Sequence, residues 1–244
     1  MKKHLFLFLI FSHFHIPITA QNTTNGKVPA RGKLLYSNSF SSQSGMEGWK
    51  MEGPGKVEFR DSWMHMYSPD EVGHHVYWCP QDFPGNFIAE WVLQNIEPDA
   101  GLCIVFFSAL GQNGKDIFDA SIKPRDGIFN KYTKSDINNY HISYYANGKD
   151  NQGREVAHLR KNAGFYVVQV GKPGIPINSK EIHKVTLIKN GNHIVMEIDG
   201  REIINWLDDG KEYGPVLGGG KIGLRQMKWT HFRYRNFKVW ELVQ

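Results

Sequence analysis

Lys184-Val-Thr-Leu-Ile-Lys189, Asn190-Gly191, His193-Ile-Val-Met-Glu-Ile198, Asp199-Gly200 and Arg201-Glu-Ile-Ile-Asn-Trp206 follow one another almost without a break. Val185 and Leu187 alternate with polar neighbours, and so do Ile194, Met196 and Ile198; period two marks strands with one buried face. Asp199-Gly200 is a favoured dipeptide for a tight hairpin turn, and Asn190-Gly191 opens the preceding one. The stretch reads as an antiparallel meander. Working outward, the same grammar recurs in Lys56–Phe59, Trp63–Tyr67, His74–Trp78, Phe87–Gln94, Leu102–Leu110, His141–Ala146, Phe165–Val170, Gly220–Met227 and Phe232–Glu241. Turn chemistry separates these runs, as at Asp82-Phe83-Pro84-Gly85, Gly111-Gln112-Asn113-Gly114 and Asn147-Gly148. Many short strands with frequent turns and no long helical period predict an all-β chain, a two-sheet antiparallel sandwich or a barrel. Residues 111–163 differ, being dense in Asn, Asp, Lys, Arg and Gly; they are expected as loops over a sheet rim, where recognition tends to reside.

The N-terminus has the layout of a secretory signal: Lys2-Lys3, an apolar run over Leu5–Phe11, and small residues at Ile18-Thr19-Ala20 before Gln21. The expected organisation is a signal over 1–20, a flexible leader over 21–33 and one domain over 34–244. Export to the periplasm or extracellular space follows, with no membrane insertion of the mature chain, since no stretch approaches the ~20 apolar residues of a spanning helix. The formal charge is +5, and removing Lys2 and Lys3 leaves a mild excess with no basic tract, so nucleic acid is not an expected partner. The two cysteines, Cys79 and Cys103, lie in apolar strand-like runs. They could pair after export or stay as buried thiols.

Trp49–Gly55 (WKMEGPG), MHMYSP (64–69), HHVYWCPQDFPGNFIAEW (74–91), GLCIVFFSALGQNGKDIFD (101–119), INNYHISYY (137–145), HLRKNAGF (158–165) and YGPVLGGGKIGLRQM (213–227) occur in that order. Together they resemble the YesU-like domain-of-unknown-function family of bacterial jelly-roll proteins, from about Leu34 to Leu242. The resemblance implies a concanavalin-A-like lectin/glucanase jelly roll with a concave sheet facing ligand. It also implies a carbohydrate-active or carbohydrate-binding role in degrading a rhamnose-containing acidic polysaccharide, of ulvan or rhamnogalacturonan type. The partner would be an acidic oligo- or polysaccharide.

Candidate chemistry falls in several places. Strand alternation puts His141, Ser143 and Tyr145 on one face, polar enough to meet a glycan; His141 and Tyr145 could serve as proton acceptor and donor in a β-elimination. A hydrogen-bonded, half-exposed strand face accounts for the same pattern. Arg225, followed by Gln226, suits a bidentate grip on a uronate carboxylate or sulfate, and equally a strand ion pair. Glu90 could act as an acid or base or pair with Arg225. Trp78 could stack on a sugar ring or sit in the core. Asn138 and Arg160 are further ligand candidates. Asp116 and Asp119 carry oxygens that Ca²⁺ could use, though their spacing matches no calcium loop; no other cofactor is expected. Glu197-Ile-Asp199-Gly-Arg-Glu202 resembles a retaining-glycosidase signature, but that mechanism needs both carboxylates on one face. Here Asp199-Gly200 reads as the turn itself. If His141, Tyr145, Glu90 and Arg225 converge, the chain is an enzyme, a polysaccharide lyase or glycoside hydrolase. If they scatter, it is a binding module or a structural protein without a glycan site.

Overall fold

A computed structural model describes residues 30–147 and 153–243. The signal assigned to 1–20 and most of the leader lie outside these residues. The strands in chain order are β1 (Ala30–Asn38), β2 (Lys50–Glu52), β3 (Lys56–Arg60), β4 (Trp63–Tyr67), β5 (His75–Phe83), β6 (Asn86–Asn95), β7 (Gly101–Gly111) and β8 (Ile137–Asn147). Then follow β9 (Val156–Asn162), β10 (Tyr166–Pro173), β11 (Ile182–Asn190), β12 (His193–Ile198), β13 (Arg201–Leu207), β14 (Gly220–Gln226) and β15 (Phe232–Val243). One short helix, α1 (Asn130–Thr133), precedes β8. Among the described residues no helix is long and apolar enough to cross a membrane.

The strands form two antiparallel sheets packed face to face, an all-β sandwich of jelly-roll type. The first has the order β13-β12-β11-β6-β15-β4-β3, with β1 also on β15; the second has the order β10-β9-β8-β7-β14-β5-β2. The expected meander is β11-β12-β13. Asp199 and Gly200 take φ of 53° and 74°, so the Asp-Gly pair is the turn, and Glu202 pairs across it with Glu197. The turn also anchors itself: the Asp199 carboxylate accepts from the Lys184 amide and lies 2.7 Å from His183 Nδ1.

Between the sheets, alternate side chains of both interdigitate, as sheet sandwiches require. Phe87, Ala89, Trp91 and Leu93 of β6, with Tyr234 and Phe237 of the neighbouring β15, pack in one core with Cys103, Val105 and Phe107 of β7 and Ile142 of β8 from the other sheet. Cys79 and Cys103 are buried free thiols on β5 and β7, with β14 between those strands.

Three strands escape the periodic reading. β1 starts at Ala30, inside the segment read as leader, and runs along β15. β2 is three residues long. In β9 the core-facing set is Ala157, Leu159 and Lys161, the last buried as an ion with Asp208 at 2.7 Å, so apolar alternation is broken.

Candidate functional site

The face of the second sheet turned away from the core is organised in cross-strand rows. Arg225 on β14 stands beside Ile104 on β7, which stands beside Ser143 on β8 and, beyond it, His158 on β9. The next row runs Trp78, Gly223, Phe106, His141 and Arg160. Much of this face is covered. The polar stretch after β7 folds back over it and, with Val76, Trp78, Ile104 and Phe106, its Ile117, Ile122 and Tyr132 make a second apolar cluster.

Polar contacts fasten this cover. Arg125 meets Glu52 at 2.8 Å, and Glu52 accepts from Trp78 Nε1 at 2.8 Å. Lys221 meets Asp116 at 2.9 Å. Gly127 has φ +92°, and a Cβ there would lie 1.9 Å from the His74 carbonyl oxygen, so the cover crosses β5's entry at a point only glycine tolerates.

At the β8–β9 end the cover leaves an opening of about 220 Å³, lined by Leu102, Ile104, Ser143, Arg154, Arg160 and Met227, with the Phe129 and Phe165 rings as further walls. Arg154 donates to Ser143 Oγ at 2.7 Å. The Arg160 guanidinium lies over the Phe165 ring at 4.7 Å, with one nitrogen 3.1 Å from His158 Nδ1. Burial, reinforced by Arg160, pushes Arg154 down to about 10, and burial also lowers Arg160. Burial takes His158 down to about 4, with Arg154 and Arg160 adding to it. Among the described residues no carboxylate pairs with Arg154, Arg160 or Arg225. Partly dehydrated guanidinium groups without a carboxylate partner among the described residues create an anion-attracting field.

Not all of the sequence candidates meet here. His141 belongs to this face, but it is fully buried beneath Phe106, Phe129 and Phe165, with Nδ1 2.8 Å from Asn162 Nδ2. Arg225 also faces this way and is 1% exposed under Phe129 and Tyr132. Tyr145 does not share their face. A register shift between the Cys103–Tyr145 and Ile104–Ser143 pairs inserts Tyr144 as a bulge, turning Tyr145 into the core, where its hydroxyl donates to the Pro98 carbonyl at 2.7 Å.

Glu90 is on β6 in the other sheet, paired with Arg31 and, at 3.0 Å, with Lys184; it does not reach Arg225. Trp78 is covered, stacked on Phe106 at 5.8 Å, and offers no face to a sugar. Gln226 points inward, its amide 2.8 Å from the Tyr234 hydroxyl. Asn138 accepts from the Ala163 amide at the far end of β8. Asp119 is occupied by Ser121 and Lys115. Of the residues singled out as ligand contacts, Arg160 lines the opening.

The sequence pattern of the domain of unknown function DUF1961 matches residues 33–239. The chain belongs to the DUF1961 family. The uncharacterized protein YesU of Bacillus subtilis strain 168 is 37% identical over 216 residues, covering 87% of this chain and 98% of YesU. A Bacillus subtilis crystal structure of a protein of unknown function with galectin-like fold is 36% identical and superposes with a TM-score of 0.84, covering 89% of this chain and 100% of that one. More distant likenesses are of fold alone. The carbohydrate-binding module CBM66 from Bacillus subtilis has TM-score 0.53 at 14% identity, covering 80% of this chain and 96% of the module. The VIP36 exoplasmic/lumenal domain in a Ca²⁺/Man3GlcNAc-bound form has 0.58 at 10%, covering 87% and 92%.

In this DUF1961 protein the sequence reading missed Arg154, Phe129, Phe165 and Met227 as pocket residues. A signal existed: Arg154, His158 and Arg160 fall at even positions, so an extended chain projects all of them to one side. Of the two rings that wall the opening, Phe129 comes from the polar stretch and carries no periodic mark, while Phe165 sits at the start of a run read as a strand.

Buried histidines give the fold an acid limit. Burial holds His75 down at about 4, and burial together with Arg160, Arg225, Arg154 and His158 holds His141 well below its ordinary value. Below about pH 6.5 the unfolded chain therefore binds protons that the folded chain refuses. Stability is full above that pH and falls as pH drops towards 4, by up to about 1.4 kcal/mol per pH unit for each histidine. Urea midpoints at about pH 7.5 and about pH 5 should differ clearly; coincident midpoints would contradict this account.

Proposed function

We propose that the protein is an exported carbohydrate-binding protein that takes an acidic saccharide at the opening between Phe129, Phe165 and Arg160. The observation that carries this reading is the pairing of aromatic walls with half-buried Arg154 and Arg160 that lack a carboxylate partner among the described residues. Aromatic faces suit the C–H side of a sugar ring, and a guanidinium fork suits a carboxylate or sulfate. The opening is smaller than the ~300–1,000 Å³ of typical ligand pockets, which fits a single sugar unit of a longer chain. Fold likeness to a carbohydrate-binding module and to a mannose-oligosaccharide-bound lumenal domain is consistent with it. A rhamnose-containing acidic polysaccharide of ulvan or rhamnogalacturonan type suits the lining, because a 6-deoxy sugar would set its methyl group against Leu102 and Met227.

Binding is favoured over catalysis by the scatter of Tyr145 and Glu90 and by the rings over His141, so these candidates do not converge as an acid and a base. The test is calorimetric titration of the purified protein with ulvan and rhamnogalacturonan oligomers and a neutral glucan, alongside absorbance of unsaturated uronate and new reducing ends. We expect heat with the acidic oligomers alone, no product, and about tenfold weaker binding for Arg154→Ala and for Arg160→Ala. Unsaturated product would make it a lyase, and no heat with any saccharide would leave a structural role.

A further inference from the structure

Resting on the binding site proposed above, we infer that Arg225 and His141 form a closed inner subsite for a planar carboxylate, a uronic acid's C6 group, with the Phe129 ring as its gate. Arg225 is 1% exposed, yet only one of its nitrogens is engaged: Nη1 donates to the Gly127 carbonyl at 2.9 Å, while Nε and Nη2 have no hydrogen-bond partner. A buried guanidinium left in this state costs several hydrogen bonds. Nε and Nη2 lie on one edge of the guanidinium plane, the edge that receives the two oxygens of a carboxylate.

His141 adds a second orphan, fully buried with Nε2 unpartnered and Nδ1 held by Asn162. Both groups lie under the same side chain. The Phe129 ring is 4.7 Å from the Arg225 guanidinium and 5.6 Å from the His141 ring, and it also walls the opening that holds Arg154 and Arg160. Arg225 neighbours Ile104, itself part of that opening's lining.

One ring thus separates the pocket from a positive charge that has no carboxylate partner among the described residues. Cation–π contact with Phe129 and with Tyr132 at 5.5 Å shields the guanidinium in the closed state without satisfying its N–H groups. An acidic sugar that swings Phe129 aside gains the bidentate pair, and a neutral sugar does not. Gated access of this kind makes the acid group the selected feature.

The experiment uses the full mature chain with D-glucuronate and D-glucose as probes, following arginine Nε–H resonances by NMR and affinity by calorimetry. Glucuronate should shift the Arg225 Nε–H signal and glucose should not. Arg225→Lys, which keeps charge but loses the fork, should weaken glucuronate about tenfold. Phe129→Ala, which removes the gating ring and keeps every arginine, should speed association. Glucuronate binding that shifts Arg160 and leaves Arg225 unmoved, with Phe129→Ala without effect, overturns the inner subsite but not the outer site. Absence of binding by either sugar overturns both.

Discussion

Asp208→Ala is expected to lower the unfolding free energy by about 3–5 kcal/mol, the usual result of leaving one member of a buried ion pair alone. Asp208 has no side-chain exposure and Lys161 has 3%. Lys161 Nζ lies 2.7 Å from the Asp208 carboxylate, the Tyr140 hydroxyl donates to the same oxygen, and the other oxygen accepts from the Gly210 amide at 2.9 Å. Without the carboxylate, the buried ammonium keeps the Gly214 carbonyl at 2.7 Å as its hydrogen-bond partner. For a domain of this size the midpoint of thermal unfolding should fall by on the order of 10 °C. The double change Lys161→Met with Asp208→Leu should recover most of the loss, because two apolar side chains replace both charges. Chemical denaturation of the three proteins measures it; a loss under about 1 kcal/mol for Asp208→Ala would show that the pair is hydrated.

Trp78→Ala should destabilise by a similar amount, about 3–5 kcal/mol, as large-to-small changes of buried aromatics do. Trp78 is fully buried on the outer face of its sheet, stacked with Phe106 at 5.8 Å and Tyr132 at 6.4 Å. It also donates to Glu52, the carboxylate that holds Arg125 and with it the covering segment. Trp78→Phe keeps the stack and loses that donor, and should cost about 1 kcal/mol. Because Trp78 does not line the opening, Trp78→Phe should leave the proposed binding of acidic oligomers unchanged. The combination that would restore Trp78 as a sugar platform is an alanine variant of parental stability that no longer binds.

These two residues also mark how far alternation carries. Lys161 and Trp78 both sit in strands, yet one breaks the apolar period of β9 by being buried as an ion, and the other lies on the face away from the main core and is buried all the same. The polar composition of 111–163 hides the reason: Ile117, Ile122, Phe129 and Tyr132 are too sparse to register as an element, but they are enough to roof one side of a sheet. Lys221, read as part of a strand, is tied to Asp82 on the neighbouring strand β5 and to Asp116 in the covering segment.

What the amino-acid order determined by itself was local: the period-two runs, the Asp199-Gly200 hairpin, the β11-β12-β13 meander and the all-β class. These depend on neighbours within a few residues, where backbone geometry and turn chemistry act directly. Tertiary structure alone decided which candidates could meet. Period two assigns a side chain to one of two faces, but it does not say which sheet the strand joins, so Glu90 went to the opposite layer from Arg225. A single extra residue at Tyr144 inverted Tyr145 relative to His141. The cluster of Arg154, Arg160 and Arg225, up to seventy-one positions apart, forms because strand pairing and a roof whose folding no local pattern encodes bring Arg160 under Phe165, Arg225 under Phe129 and Arg154 to the same opening as Arg160.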